Sequence, residues 1–133
     1  MRSVLRGVAS GRPTGARVPA IVFTKGGGQW LDSLATCGAQ CVGLDWTVDL
    51  GGRAPRASAT RVALQGNLDP IVLLADAATV VRARRPPSFA PRAPAPGHIF
   101  NLGHGIVPAT PPENVAVLVE TVHRESRALR AGC

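Results

Sequence analysis

Tyrosine is absent from this chain of 133 residues, lysine occurs once, at Lys25, and aromatic side chains make up only 4%. The formal charge of +7 therefore rests almost wholly on arginine, and a surplus of that size favours a polyanionic partner. Proteins that hold single-stranded nucleic acid interleave their cations with aromatic side chains on which bases stack. Here the arginines are scattered and lack such companions, so no nucleic-acid partner is expected. A small molecule carrying several carboxylates fits the charge equally well.

Cysteine is sparse too. Cys37, Cys41 and the terminal Cys133 are an odd number without repeated spacing, which excludes a disulfide framework and points to free thiols in a reducing compartment. No apolar run approaches the ~18 residues of a membrane span, and the N-terminus has no signal-peptide core. The arginine-bearing start is too short for a transit peptide and is broken by Pro13. A cytoplasmic protein without a membrane partner is the expectation. Metal-ligand patterns are missing as well: His98 and His104 fall on one face of an ideal strand, but no carboxylate or thiol stands at ligand spacing and Asn101 interrupts the pleat. Neither a metal nor a cofactor is expected.

What is present is an alternation of strands and helices within a length that allows one domain, residues 1–133. Val4, Leu5 and Val8 group as a short helical stripe, ended by Gly11, Pro13 and Gly15. Val18 to Phe23 is a continuous apolar run, as in a strand covered on both faces. A helix is expected over Gln29 to Cys37, with Trp30, Leu31 and Leu34 on one side and Gly38 at its end. Between them, Lys25-Gly26-Gly27-Gly28 offers free backbone N–H groups beside a cation, a cradle suited to a carboxylate or phosphate. It is not a P-loop, because the lysine precedes the glycines.

Cys41 to Leu44 gives a second strand, ending at Asp45-Trp46, where the carboxylate is either an active-site group or a cap. Val62 to Leu64 gives a third, after which Asp69-Pro70 signals a helix running to about Val81. Residues 84–96, rich in proline and arginine, read as an extended loop. The fourth strand occupies the stretch Gly97-His98-Ile99-Phe100-Asn101-Leu102-Gly103-His104-Gly105 and presents His104 between two glycines, which permit unusual backbone angles and close approach of a ligand. Thr110-Pro111-Pro112-Glu113 reads as a capping box for a closing helix, with Val115, Leu118, Val119, Val122 and Leu129 along one face. Repeated strand–helix units make a parallel sheet with outer helices. Its carboxyl-terminal rim would gather Lys25, Asp45, Gln65, Asn67 and His104.

The blocks Phe23-Thr24-Lys25-Gly26-Gly27-Gly28, Val42-Gly43-Leu44-Asp45-Trp46, Ala63-Leu64-Gln65-Gly66-Asn67-Leu68-Asp69-Pro70, Gly97 to Ile106 and Thr110-Pro111-Pro112-Glu113-Asn114-Val115 resemble the C-terminal part of uroporphyrinogen decarboxylase, over about residues 18–127. The resemblance implies an α/β fold, the C-terminal half of a (β/α)8 TIM barrel with about four parallel strands and outer helices. It implies a carboxy-lyase that works without cofactor, usually as a homodimer, and removes the four acetate carboxylates of uroporphyrinogen III to give coproporphyrinogen III. The histidine that contacts substrate in that family falls on His104, which makes His104 the catalytic candidate. Lys25, Gly26, Gly27, Asp45 and Asn67 join it as candidates for binding the tetrapyrrole octacarboxylate. The family's pocket arginines, tyrosine and serine, and the aspartate that holds the pyrrole N–H groups, lie N-terminal to the matched blocks.

Residues 51–60 and 82–96 are unlike the family pattern, and four parallel strands cannot close a barrel. A truncated or split form is therefore expected, inactive in isolation and open to a complementary N-terminal half. Two other readings stand beside the decarboxylase: a non-catalytic fragment that binds an anion or a partner, and a relative of the cobalamin-dependent methyltransferases, which hold zinc with histidine and cysteine.

Overall fold

A computed structural model describes residues 18–50, 62–83 and 98–131. The stripe at Val4 to Val8, the divergent segment 51–60 and the proline-rich loop at 84–96 lie outside the described residues. Four strands, β1 (Ile21–Phe23), β2 (Cys41–Gly43), β3 (Ala63–Leu68) and β4 (His98–Leu102), form one sheet in the order β1-β2-β3-β4. Every neighbouring pair is parallel, so each strand ends at the same edge of the sheet. The helices are α1 (Leu31–Ala35), preceded by a 3-10 turn over Gly27–Trp30, α2 (Ala77–Ala83), preceded by a 3-10 turn over Pro70–Leu74, and α3 (Pro112–Ala131).

Successive strand side chains point to opposite faces, and the register puts Val22, Val42 and Leu64 side by side. These three pack with Leu31, Leu34 and Ala35 of α1 and with Leu44, Val48 and Leu50. A second cluster joins Leu73, Val80 and Leu118 to Leu68, Phe100 and Leu102. The other face of the sheet is open: Ile21, Phe23 and Ile99 are 53%, 50% and 46% exposed. The apolar run Val18 to Phe23 is thus covered on one face only, contrary to its sequence reading. A continuous apolar run shows that both faces can be buried, but not whether the groups that would bury them are packed against it.

Several local expectations shift for identifiable reasons. Trp30 is 54% exposed while Leu31 and Leu34 are buried, because the α-helical register begins at Leu31 and Trp30 sits at its N-cap with φ −106° and ψ 18°. Asp69 does cap the turn after β3, its carboxylate accepting from the Ile71 N–H at 3.0 Å, with Pro70 at the first position. The expected helix from Pro70 to Val81 is nevertheless two pieces. The chain extends at Ala75 and restarts behind Asp76, whose carboxylate accepts from the Thr79 N–H at 2.8 Å. The carbonyls exposed at the break are taken by Asn114 of α3, whose Nδ2 donates to Leu73 O at 2.9 Å and Ala75 O at 2.8 Å.

The capping box at α3 does not form. The helix starts at Pro112, one residue later than Thr110 as cap would require, and the Thr110 hydroxyl is buried without a hydrogen-bond partner. On the helix face, Leu118 is buried with Val115 and Val122 packed beside it, whereas Val119 is 46% exposed. Thr121, 3% exposed, takes the inward position. The side chain of Leu129 lies outside the described residues.

Cys37 and Cys41 are free and buried, and burial pushes the Cys41 thiol up from its ordinary range. A buried thiol with little thiolate is inert. In a Cys133→Ser chain, a thiol-specific disulfide reagent at neutral pH should label Cys37 and Cys41 slower than the urea-unfolded chain by on the order of tenfold or more. Equal rates would show that this region of the sheet opens freely.

Candidate active site

Parallel pairing delivers the segments after all four strands to one rim, the usual place for chemistry in such sheets. The organising group there is Asp45, a side chain only 1% exposed at the end of β2. Its carboxylate accepts from the Gly26 N–H, from the Thr47 N–H at 2.9 Å and from the Thr47 hydroxyl. Burial alone would raise its pKa. The hydrogen bonds from the Thr47 hydroxyl, the Gly26 N–H and the Thr47 N–H, together with the charge of Lys25, outweigh burial and hold the carboxyl below its usual range. Asp45 is thus a fixed anion that ties the turn after β1 to the turn after β2.

The N–H cradle is already occupied from within. Gly26, at φ 70°, gives its N–H to Asp45, and the Gly27 N–H donates to Thr24 O at 3.3 Å. Glycine at 27 serves close packing, since a Cβ there would come within 2.2 Å of the Thr24 methyl. Asn67 is also engaged: its Nδ2 donates to Asp45 O at 2.7 Å and Val48 O at 2.6 Å, so its amide ties β3 to the turn beyond β2.

Lys25 and His104 are exposed, and both flank Trp46. The Lys25 Nζ lies 5.4 Å from the indole centroid. The His104 ring meets the same indole edge-to-face, with centroids 5.5 Å apart and planes at 87°. Sequence reading brought Lys25, Asp45, Asn67 and His104 to one rim, as the structure does, but passed over Trp46, whose only signal was its place directly after the strand-end aspartate. Asn101 was passed over likewise. With Ile21, Phe23, Gly43, Gln65 and His104 it lines a groove of about 610 Å³ along the open face of the sheet.

The glycines around His104 act differently from their sequence reading. Neither adopts a left-handed backbone. Gly103 is required because a Cβ would lie 2.2 Å from Trp46 N, so what approaches closely there is the chain's own backbone rather than a ligand. Around Gly105 the space is open. His98 sits at the start of β4, away from the rim, with Nε2 3.0 Å from Gly66 O. Partial burial of its ring lowers its pKa, and the bond to Gly66 offsets only part of that. Among the described residues no group of three or more His, Cys, Asp or Glu is placed to hold a metal ion.

The model of one family, described as uroporphyrinogen decarboxylase (URO-D), matches residues 1–125, reaching further toward the N-terminus than the blocks quoted above. The uroporphyrinogen decarboxylase of Cupriavidus necator is 55% identical over 134 residues, covering 99% of this chain and 36% of the relative. That of an Azoarcus species is 60% identical over 118 residues, covering 88% of this chain and 32% of the relative. The chain therefore spans about a third of the length of these relatives. Among solved structures, a methyltransferase from Methanosarcina mazei superposes with a TM-score of 0.71 over 95% of this chain and 36% of its own. At 19% identity that likeness concerns the fold alone.

Proposed function

Because this chain belongs to the uroporphyrinogen decarboxylase family, a family of TIM-barrel carboxy-lyases, we propose that it forms the His104-bearing side of a pocket that decarboxylates the acetate side chains of uroporphyrinogen III to give coproporphyrinogen III. The observation that carries this reading is the meeting of Lys25 and His104 at one mouth, on a chain of net charge +7, where an octacarboxylate would be drawn and held. In the reaction implied by the family, a pyrrole carbon is protonated and the ring becomes an electron sink. The bond to the carboxylate then breaks with its electron pair moving into the ring, carbon dioxide leaves, the exposed carbon takes up a proton to become a methyl group, and the ring carbon gives back the proton it first gained, restoring the pyrrole. The part assigned to this chain is binding. His104 and Lys25 hold substrate carboxylates, while Asp45, Asn67 and the amides of Gly26 and Gly27 keep the rim rigid, since preorganised donors need no rearrangement when charge develops.

The same reading places the protein in the cytoplasm and pairs it with the remaining part of a family barrel, in a homodimer of complete barrels. No helix among the described residues is long and apolar enough to cross a membrane, and the exposed Ile21, Phe23 and Ile99 would then line the barrel interior. The methyltransferase reading finds less support: Cys37 and Cys41 are buried, and burial favours the protonated thiol at Cys41 over the thiolate that zinc needs. Zinc analysis of the purified chain separates the two.

Uroporphyrin III, the oxidised octacarboxylate, should bind the chain, and His104→Gln should weaken that binding by about tenfold, as expected for loss of one hydrogen bond to a charged group. Supplying the N-terminal portion of a relative together with uroporphyrinogen III should yield coproporphyrinogen III. Absence of uroporphyrin binding would overturn the assignment. Binding without product in any combination would favour the non-catalytic anion-binding reading.

A further inference from the structure

The family reading gives Lys25 and His104 carboxylates to hold but does not say what fixes the two side chains relative to each other. Lysine ends in a flexible four-carbon stem with a rotatable ammonium. His104 stands on an exposed turn after β4, with open space around Gly105 beside it. Neither side chain would keep one position without a support.

We propose that Trp46 is a positioning residue: its indole sets the Lys25 ammonium and the His104 imidazole around a single ring, so that together they take two neighbouring carboxylates of one polycarboxylate substrate. This deepens the functional reading above and rests on it for the identity of the substrate. Two contacts of the indole and the anchoring of its backbone carry it. The Lys25 Nζ stands 5.4 Å from the indole centroid, where the negative face of the ring attracts a cation. The His104 ring stands at 5.5 Å and 87°, the edge-to-face geometry that aromatic pairs favour. The backbone of Trp46 is itself fixed on two sides, by the neighbouring Asp45 carboxylate that holds the Gly26 N–H and by the Gly103 backbone packed against Trp46 N. Thus the residues adjoining Lys25 and His104 are anchored to the same dipeptide that supplies the ring. A carboxylate that binds Lys25 leaves the cation–π contact in place, because the ammonium keeps its charge. The indole can therefore organise the mouth both before and after binding.

Proton NMR of the whole chain tests the placement separately from the ligand. In the wild type, ring currents from Trp46 should displace the Lys25 ε-methylene protons upfield and move the His104 imidazole protons away from their ordinary positions. Trp46→Leu should return both to ordinary positions and weaken uroporphyrin III binding by about tenfold. Trp46→Phe, which keeps an aromatic face, should retain most of both. A merely structural role would lower the melting temperature of the two variants without reproducing that split. Resonances unmoved by Trp46→Leu, or equal affinity in the two variants, would overturn the proposal. Shifts behaving as described in a chain that takes up no uroporphyrin III would overturn the functional reading, while the placement would stand on the shifts.

Discussion

Gly103→Ala should destabilise the chain by about 3 kcal/mol or more and displace the His104 turn, a larger effect than its single methyl group suggests. The added Cβ would lie 2.2 Å from Trp46 N, 2.8 Å from Asp45 C and 2.9 Å from Trp46 Cα. All three are backbone atoms, so no rotamer change relieves the overlap. Either β4 moves away from the turn after β2, weakening the bond from the Gly103 N–H to Leu68 O at 2.7 Å, or Asp45-Trp46 moves and disturbs the carboxylate network. Gly105→Ala is the control, because its Cβ would meet nothing within 4 Å. Urea denaturation followed by far-ultraviolet circular dichroism should separate the two variants clearly. Equal midpoints would mean that the packing of β4 against the turn after β2 is looser than the contacts require.

The second large effect is expected at Asp45. Asp45→Ala removes a buried carboxylate that accepts from the Gly26 and Thr47 N–H groups, and an N–H that loses a hydrogen bond to a charged acceptor costs about 1.5–3 kcal/mol. With two such groups, a loss of about 3 kcal/mol or more is expected. The charge also sets the direction of the acid response. Its folded pKa lies below the ordinary carboxylate value, so below that ordinary value, about 4, the unfolded chain binds the additional proton. Asp45 therefore stabilises the fold fully above about pH 4, and this contribution falls away as pH drops through the folded value. His98 titrates in a separate window. Its folded pKa is also lowered, so stability begins to decline as pH falls below about 6.5, the unperturbed histidine value. Asp45→Asn should flatten the stability profile below about pH 4 and leave the arm between pH 7 and 5 unchanged. A profile that stays steep in the acid window would assign that loss to other carboxylates, of which Asp76, held low by the Thr79 N–H and hydroxyl, is the evident one.

The alternating architecture was legible because its signals are local. An apolar run followed by Asp69-Pro70 marks a strand end and a helix start whatever the rest of the chain does, and the cap formed as expected. Thr110 failed by the same standard: Pro111 and Pro112 both suit a first helical position, and the helix took the second, leaving the threonine hydroxyl without a partner. Val119 and Trp30 were misassigned because a helical stripe can be drawn through either, and only the position of the neighbouring element decides which side is inward. Asn114 gave no sign that it would hold the break at Ala75, since its two acceptors come from a different helix pair.

Residue order alone is enough to establish that strands and helices alternate, that the sheet is parallel, and hence that Lys25, Asp45, Asn67 and His104 come to one edge. Each of those steps follows from residue order and short-range chemistry. Which of the polar groups at that edge remain available to a ligand depends on how the turns pack in three dimensions. The amides of Gly26 and Gly27, the Asn67 side chain and the Asp45 carboxylate are satisfied inside the protein, while Lys25 and His104 face outward around Trp46. Asp45 meets Gly26 across 19 residues and Asn67 across 22. Contacts over such separations depend on strand register and turn geometry, which no local pattern encodes.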